Sequence, residues 1–127
     1  MKKIIHTPDA PEAIGPYSQA TVWNGMVFCS GQIALTADGE SKLDDSVEVQ
    51  CRQALVNLEA VLLEAGASMQ TVLKVNISLI DMQDFHAVNA VYETFFSESK
   101  PARACVEVAG LPRGAKIEIE AVAFIES

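Results

Sequence analysis

Arg103, Cys105 and Glu107 alternate along one short stretch, and Glu118 and Glu120 along another. These side-chain types can do chemistry. A guanidinium forks onto a carboxylate through two parallel hydrogen bonds, fixing orientation as well as charge. A carboxylate beside a reacting group takes a proton from water and later returns one, which contributes about 10²–10⁴-fold. A thiol near a cation acts as a nucleophile when its thiolate is favoured, but no histidine is indicated as a basic partner for Cys105. His6 and His86 stand apart, and no His/Cys spacing supports a metal site.

Two further residues stand out against their surroundings. Gly31 follows Ser30 inside an apolar run, and a glycine within a strand marks a bulge or a close approach to the backbone. Asn89 sits among Phe85, Val88, Tyr92 and Phe96 on an apolar helical stripe. A buried Asn must find hydrogen-bond partners, either in local backbone or in a functional group.

The elements that position these residues follow from periodicity. Asn24-Gly25 between two apolar runs predicts a two-residue hairpin turn, because both can take positive φ. That turn sets Trp23 opposite Met26 and Gln19 opposite Ser30. Thr36 to Glu40 reads as a polar loop or turn. Cys51, Ala54, Leu55, Leu58, Val61, Leu62 and Ala65 repeat at helical spacing. Asp45 with Glu48 resembles a helix-starting cap, and Gly66 suits a left-handed stop. Leu73, Val75, Ile77 and Leu79 alternate as the apolar face of a strand. Asp81 or Asp84 then caps a second helix through Phe85, Val88, Tyr92, Phe95 and Phe96.

Strands over Ala102 to Val108 and Lys116 to Phe124 complete the order. Two helices cannot cover both faces of five or six strands, so the fold class is α+β with both helices on one sheet face. The expected uncovered face carries Arg103, Cys105 and Glu107 with Glu118, Glu120, Lys74, Asn76 and Ser78. Val122 and Phe124 continue it with apolar groups. A mixed polar and apolar face suits contact with another subunit.

The chain has 127 residues and a net charge of −8, with half its residues apolar. That length suits one domain over residues 1–127. The apolar content excludes disorder. The acidic balance, without a Lys/Arg cluster, argues against a nucleic-acid partner and against an anionic membrane surface. Neither a signal-peptide h-region nor an apolar run of membrane-spanning length is present. Three scattered cysteines, Cys29, Cys51 and Cys105, suit reduced thiols in the cytoplasm.

Four ordered motifs carry a family resemblance. Ile14-Gly15-Pro16-Tyr17-Ser18-Gln19-Ala20 resembles the first motif of the RidA/YjgF family, and Ser30-Gly31-Gln32-Ile33 resembles the second. Val88-Asn89-Ala90-Val91-Tyr92 resembles the third. Pro101 to Val106, continuing through Leu111-Pro112 to Ile117-Glu118-Ile119, resembles the C-terminal signature. The resemblance spans essentially the whole chain. It implies a chorismate-mutase-like fold with a mixed sheet, a homotrimer with clefts between subunits, and no cofactor. It also implies hydrolysis of 2-iminopropanoate, 2-iminobutanoate and related imines or enamines to 2-oxo acids and ammonia.

Carried over by position, Arg103 matches the arginine that grips the substrate carboxylate. Glu118 matches the residue that positions or activates water. Tyr17, Ser30, Gly31, Asn89 and Cys105 match other members of the cleft. Glu120 lies outside the pattern. Besides the deaminase, the resemblance admits a non-catalytic, 2-oxo-acid-binding trimer with a regulatory or holdase-like role. A ribonuclease role fits the charge poorly.

Overall fold

The computed structural model describes residues 1–126. Its element order is β1 (Lys3–Ile5), β2 (Ala20–Trp23), β3 (Met26–Gln32), α1 (Val47–Ala65), β4 (Val72–Leu79), α2 (Phe85–Phe96), β5 (Ala102–Glu107) and β6 (Ile117–Phe124). The six strands form one mixed sheet in the order β1-β2-β3-β6-β4-β5. Only the β4–β5 pair is parallel, with α2 as the crossover between them. Both helices lie on one face of the sheet, as the apolar stripes require.

The β2–β3 hairpin forms as its turn residues dictate. Asn24 and Gly25 both take positive φ, and Trp23 pairs with Met26. The Ser30 N–H donates to the Gln19 carbonyl at 3.0 Å, extending the register beyond the ladder. In the 36–40 loop, the Thr36 N–H donates to the Glu40 carbonyl at 2.8 Å and closes the turn.

In α1 every residue of the apolar stripe is buried, from Cys51 to Ala65, and Gly66 ends the helix at φ 89°. The start differs from the sequence expectation. Ser46, not Asp45, caps α1, its hydroxyl accepting from the Val49 N–H. A tertiary contact explains the shift. The buried Gln50 side chain donates to the Leu43 and Asp45 carbonyls and accepts from the Lys116 N–H. This ties residues 43–45 to the sheet as loop and leaves the next hydroxyl to cap. Ahead of α2, Asp81 caps a preceding 3₁₀ turn, while Asp84 makes no side-chain cap bond.

In β4, Val75, Ile77 and Leu79 are buried, whereas Leu73 is exposed and Val72 is buried instead. The register against β6 shifts between Val72 and Lys74, and this irregularity turns Leu73 outward.

Two rows of paired residues describe the faces. On the helix side the row runs Ile5, Ala20, Cys29, Ala121, Val75, Arg103 across all six strands. Its first five members are buried, and Arg103 ends the row at the exposed edge. On the other side the row runs Ile4, Thr21, Phe28, Val122, Lys74, Ala102.

Arg103, Cys105 and Glu107 therefore belong to the helix side, paired with Val75, Ile77 and Leu79. The expectation that they share a face with Glu118 and Glu120 is corrected. That expectation equated the apolar face with the covered face, which holds for β6 but reverses at the edge strand. There the small apolar face of Ala102, Ala104 and Val106 is left exposed. Lys74, Asn76 and Ser78 do lie with Glu118, Glu120, Val122 and Phe124 on the uncovered side. That side also exposes Ile4, Trp23, Phe28 and Val106.

Candidate functional site

Six of the seven matched residues line two separate hollows. Tyr17, Ser30, Gly31 and Glu118 line one cleft of about 580 Å³, with Ile14, Ile33 and Leu35 among its apolar walls. Arg103 and Asn89 line a second hollow of about 570 Å³, together with Tyr92, Lys100 and Pro101.

The first cleft depends on an irregular strand. The β3–β6 register shifts between Cys29 and Gln32, and Gly31 sits in that gap. A Cβ at position 31 would lie 2.6 Å from the Glu118 carboxyl carbon, closer than real contacts allow. The bare glycine is what admits the Glu118 side chain over the bulge. Ser30 is held by its own backbone bond to Gln19 and by its hydroxyl, which donates to the Ser18 carbonyl at 2.6 Å.

Gln19 anchors the segment before it. Its buried side chain accepts from the Thr7 N–H at 2.7 Å and donates to the Thr7 and Pro11 carbonyls. The Tyr17 N–H closes back on the Gly15 carbonyl at 2.9 Å, leaving an exposed ring at the cleft mouth. Gln19 has no direct chemistry, and its role was not legible from its type.

Partial burial raises the Glu118 carboxyl above the ordinary carboxylate range, and the neighbouring Glu120 charge adds to the rise. Glu120 itself accepts from the Asn76 side chain at 3.3 Å. A carboxyl poised in this way can exchange a proton nearer to neutral pH than an exposed one. Arg113, also missed in the sequence, lines this cleft from a left-handed backbone at φ 57°.

The second hollow is built by α2 against the sheet edge. Arg103 Nη1 donates to Asn89 Oδ1 at 2.7 Å. The guanidinium carbon lies 4.8 Å from the Tyr92 ring centre and 5.5 Å from that of Phe85. Asn89 thus finds its partner in Arg103, which resolves its place on an apolar stripe. The stripe that places Phe85 and Tyr92 beside Asn89 also sets both rings against the guanidinium.

Cys105 follows Arg103 on the same strand face, half-buried. Burial pushes its thiol up, and the Arg103 charge only partly opposes this. Burial raises Cys29 and Cys51 to about 12. None of the three is an activated thiolate. Among the described residues, no three His, Cys, Asp or Glu side chains gather where a metal could bind. No helix among them is long and apolar enough to cross a membrane.

Residues 7–125 match the family described as Endoribonuclease L-PSP. A RutC family protein of Synechocystis is 49% identical over 125 residues, covering 97% of this chain and 96% of that protein. The 2-iminobutanoate/2-iminopropanoate deaminase of Mus musculus is 44% identical over 123 residues, covering 97% and 91%. The solved structure of E. coli TdcF with bound serine is 42% identical, covers 98% of this chain and 99% of that one, and superposes with a TM-score of 0.91. The four ordered motifs, the mixed sheet with its two helices and this match along nearly the whole length agree: the chain belongs to the Endoribonuclease L-PSP family, that is, the RidA/YjgF family.

Proposed function

We propose that the protein is a cofactor-independent imine deaminase that hydrolyses 2-iminobutanoate, 2-iminopropanoate and similar imines or enamines. It works as a homotrimer in which Arg103 of one subunit completes the Glu118 cleft of the next. The observation that carries this reading is the separation of Arg103 and Glu118 onto opposite faces of one sheet. Each lies at an open hollow, and a substrate of this size cannot be held by both within one chain. A repeated head-to-tail contact closes into a ring and brings the two together. Ile4, Phe28 and Val106, exposed on the uncovered side, supply apolar surface for it.

The chemistry follows from the residues. The free N–H groups of Arg103 fork onto the α-carboxylate of the imino acid. The net charge of −8 gives no general attraction for an anion, so the fixed cation does this locally. TdcF holds serine, which carries the same α-carboxylate.

The imine reacts in its protonated C=NH2⁺ form, and Glu118 takes a proton from a water as the water oxygen bonds to the C=N carbon. The π pair moves to the nitrogen, which becomes the amine of a carbinolamine. Glu118 then delivers its proton to that nitrogen. Glu118, again a carboxylate, takes the hydroxyl proton as the C–N bond breaks, giving a 2-oxo acid and ammonia, which then carries that proton away as ammonium. Tyr17, Ser30 and Gly31 shape the cleft around these atoms.

The test couples a threonine dehydratase to semicarbazide, which traps the free imine. Added protein is expected to lower the trapped imine and speed 2-oxobutanoate formation. An unchanged yield of trapped imine at saturating protein overturns the reading.

A further inference from the structure

We infer that Phe85, Asn89 and Tyr92 of α2 are positioning residues that pre-set the Arg103 guanidinium for a carboxylate, with Asn89 acting through Arg103 rather than on substrate. This rests on the proposal that Arg103 receives the substrate carboxylate, and it assigns the neighbours a specific part in that recognition.

Three observations meet at one group. The side chains stand at i, i+4 and i+7, so they share one face of α2. Two aromatic rings lie within about 6 Å of the guanidinium carbon, the range over which a ring quadrupole attracts a cation. The Asn89 Oδ1 accepts a single Nη1–H at 2.7 Å. Rings and amide restrict the torsions of a long side chain at an exposed strand edge without neutralising it. Among the described residues, no carboxylate pairs with Arg103. Its remaining N–H donors stay open to a ligand.

A carboxylate at position 89 would hold the arginine as firmly but would compete with the anion to be bound. The neutral amide is therefore the functional choice. The same reasoning makes the Tyr92 ring, and not its hydroxyl, the working part. That hydroxyl is buried and has no hydrogen-bond partner among the described residues. Arg103 preorganised in this way loses less freedom when the ligand arrives, so the benefit falls on affinity for carboxylates.

The experiment is calorimetric titration of the intact protein with 2-oxobutanoate and, separately, with uncharged 2-oxobutanamide. Asn89→Asp is expected to weaken 2-oxobutanoate at least about 10-fold, with amide affinity and melting temperature unchanged. Tyr92→Leu is expected to weaken it about 5-fold, and Tyr92→Phe to restore it. In the imine assay these losses fall on KM rather than kcat. Equal weakening of acid and amide, or an Asn89→Asp protein that binds the acid like the parent, overturns the positioning role alone. A parent protein that binds no 2-oxobutanoate overturns both this role and the carboxylate site on which it rests.

Discussion

Arg103 and Glu118 face opposite sides of the same sheet. Arg103 pairs with Val75 on the helix side, and Glu118 pairs with Ser78 on the uncovered side, with β4 lying between their strands. No side-chain rotation brings the two to one small substrate. Their separation makes the neighbouring copy part of the proposed chemistry, and it yields the most direct prediction. Arg103→Ala and Glu118→Gln proteins should each be inactive, with Arg103→Ala still folded. Equal amounts unfolded together and refolded should regain about a quarter of parental activity, because each cleft draws its two residues from two chains. Mixtures that stay inactive would exclude a shared cleft.

Glu118→Gln should lower imine turnover by about 10²–10⁴-fold. It should also change stability in a pH-dependent way. Burial and Glu120 raise the folded-state pKa of Glu118, so folding favours its protonated form. That contribution is complete below the unfolded pKa and fades as pH rises through the folded value. The Gln variant is therefore expected to melt like the parent near pH 4 and slightly above it at pH 8. Thermal unfolding at both values checks the sign. In the parent, the acid limb of kcat should fall above the ordinary range for an exposed Glu.

Gly31→Ala should reach turnover before it reaches the fold. The added methyl would sit 2.6 Å from the Glu118 carboxyl carbon, so Glu118 must move. A loss of at least tenfold in kcat is expected, alongside about 1–3 kcal/mol or less of destabilisation. Denaturant melts and the trapping assay on one preparation separate the two effects.

The uncovered face should govern assembly. Phe28, 49% exposed, sits mid-row beside Val122. Phe28→Lys places a charge on a surface that the trimer would bury. Light scattering should show the parent at three chain masses and the variant at one, with activity lost and far-ultraviolet dichroism retained. A parent that scatters as a single chain at micromolar concentration defeats the trimer proposal itself.

Much of the local structure was legible because it depends on neighbours in sequence. Asn24-Gly25 makes its turn by backbone preference alone. The α1 stripe repeats at the helix period, and the order of the elements follows from such patterns. Gly31 was legible as an anomaly, since a glycine within a strand costs packing unless something approaches it. The start of α1 was not legible to the residue, because Gln50 bonding to residues 43, 45 and 116 decides it. Leu73 turned outward for a similar reason, a register shift set by the partner strand.

The sequence by itself determined the element types and the family motifs, and through the resemblance those motifs carry it pointed to Arg103 and Glu118. The element types rest on local spacing, and the two site residues rest on their match to the family motifs. Only the tertiary structure decided which face each residue occupies. Period-2 alternation sorts a strand into two faces but does not say which face a helix will cover. At the edge strand β5, the face bearing Arg103 is turned to the helix side, where Arg103 meets Asn89 of α2, and small apolar groups stand in the open on the other. That choice belongs to packing across the sheet, and it replaced an expected single polar face with two hollows on opposite faces, which the proposed trimer would join.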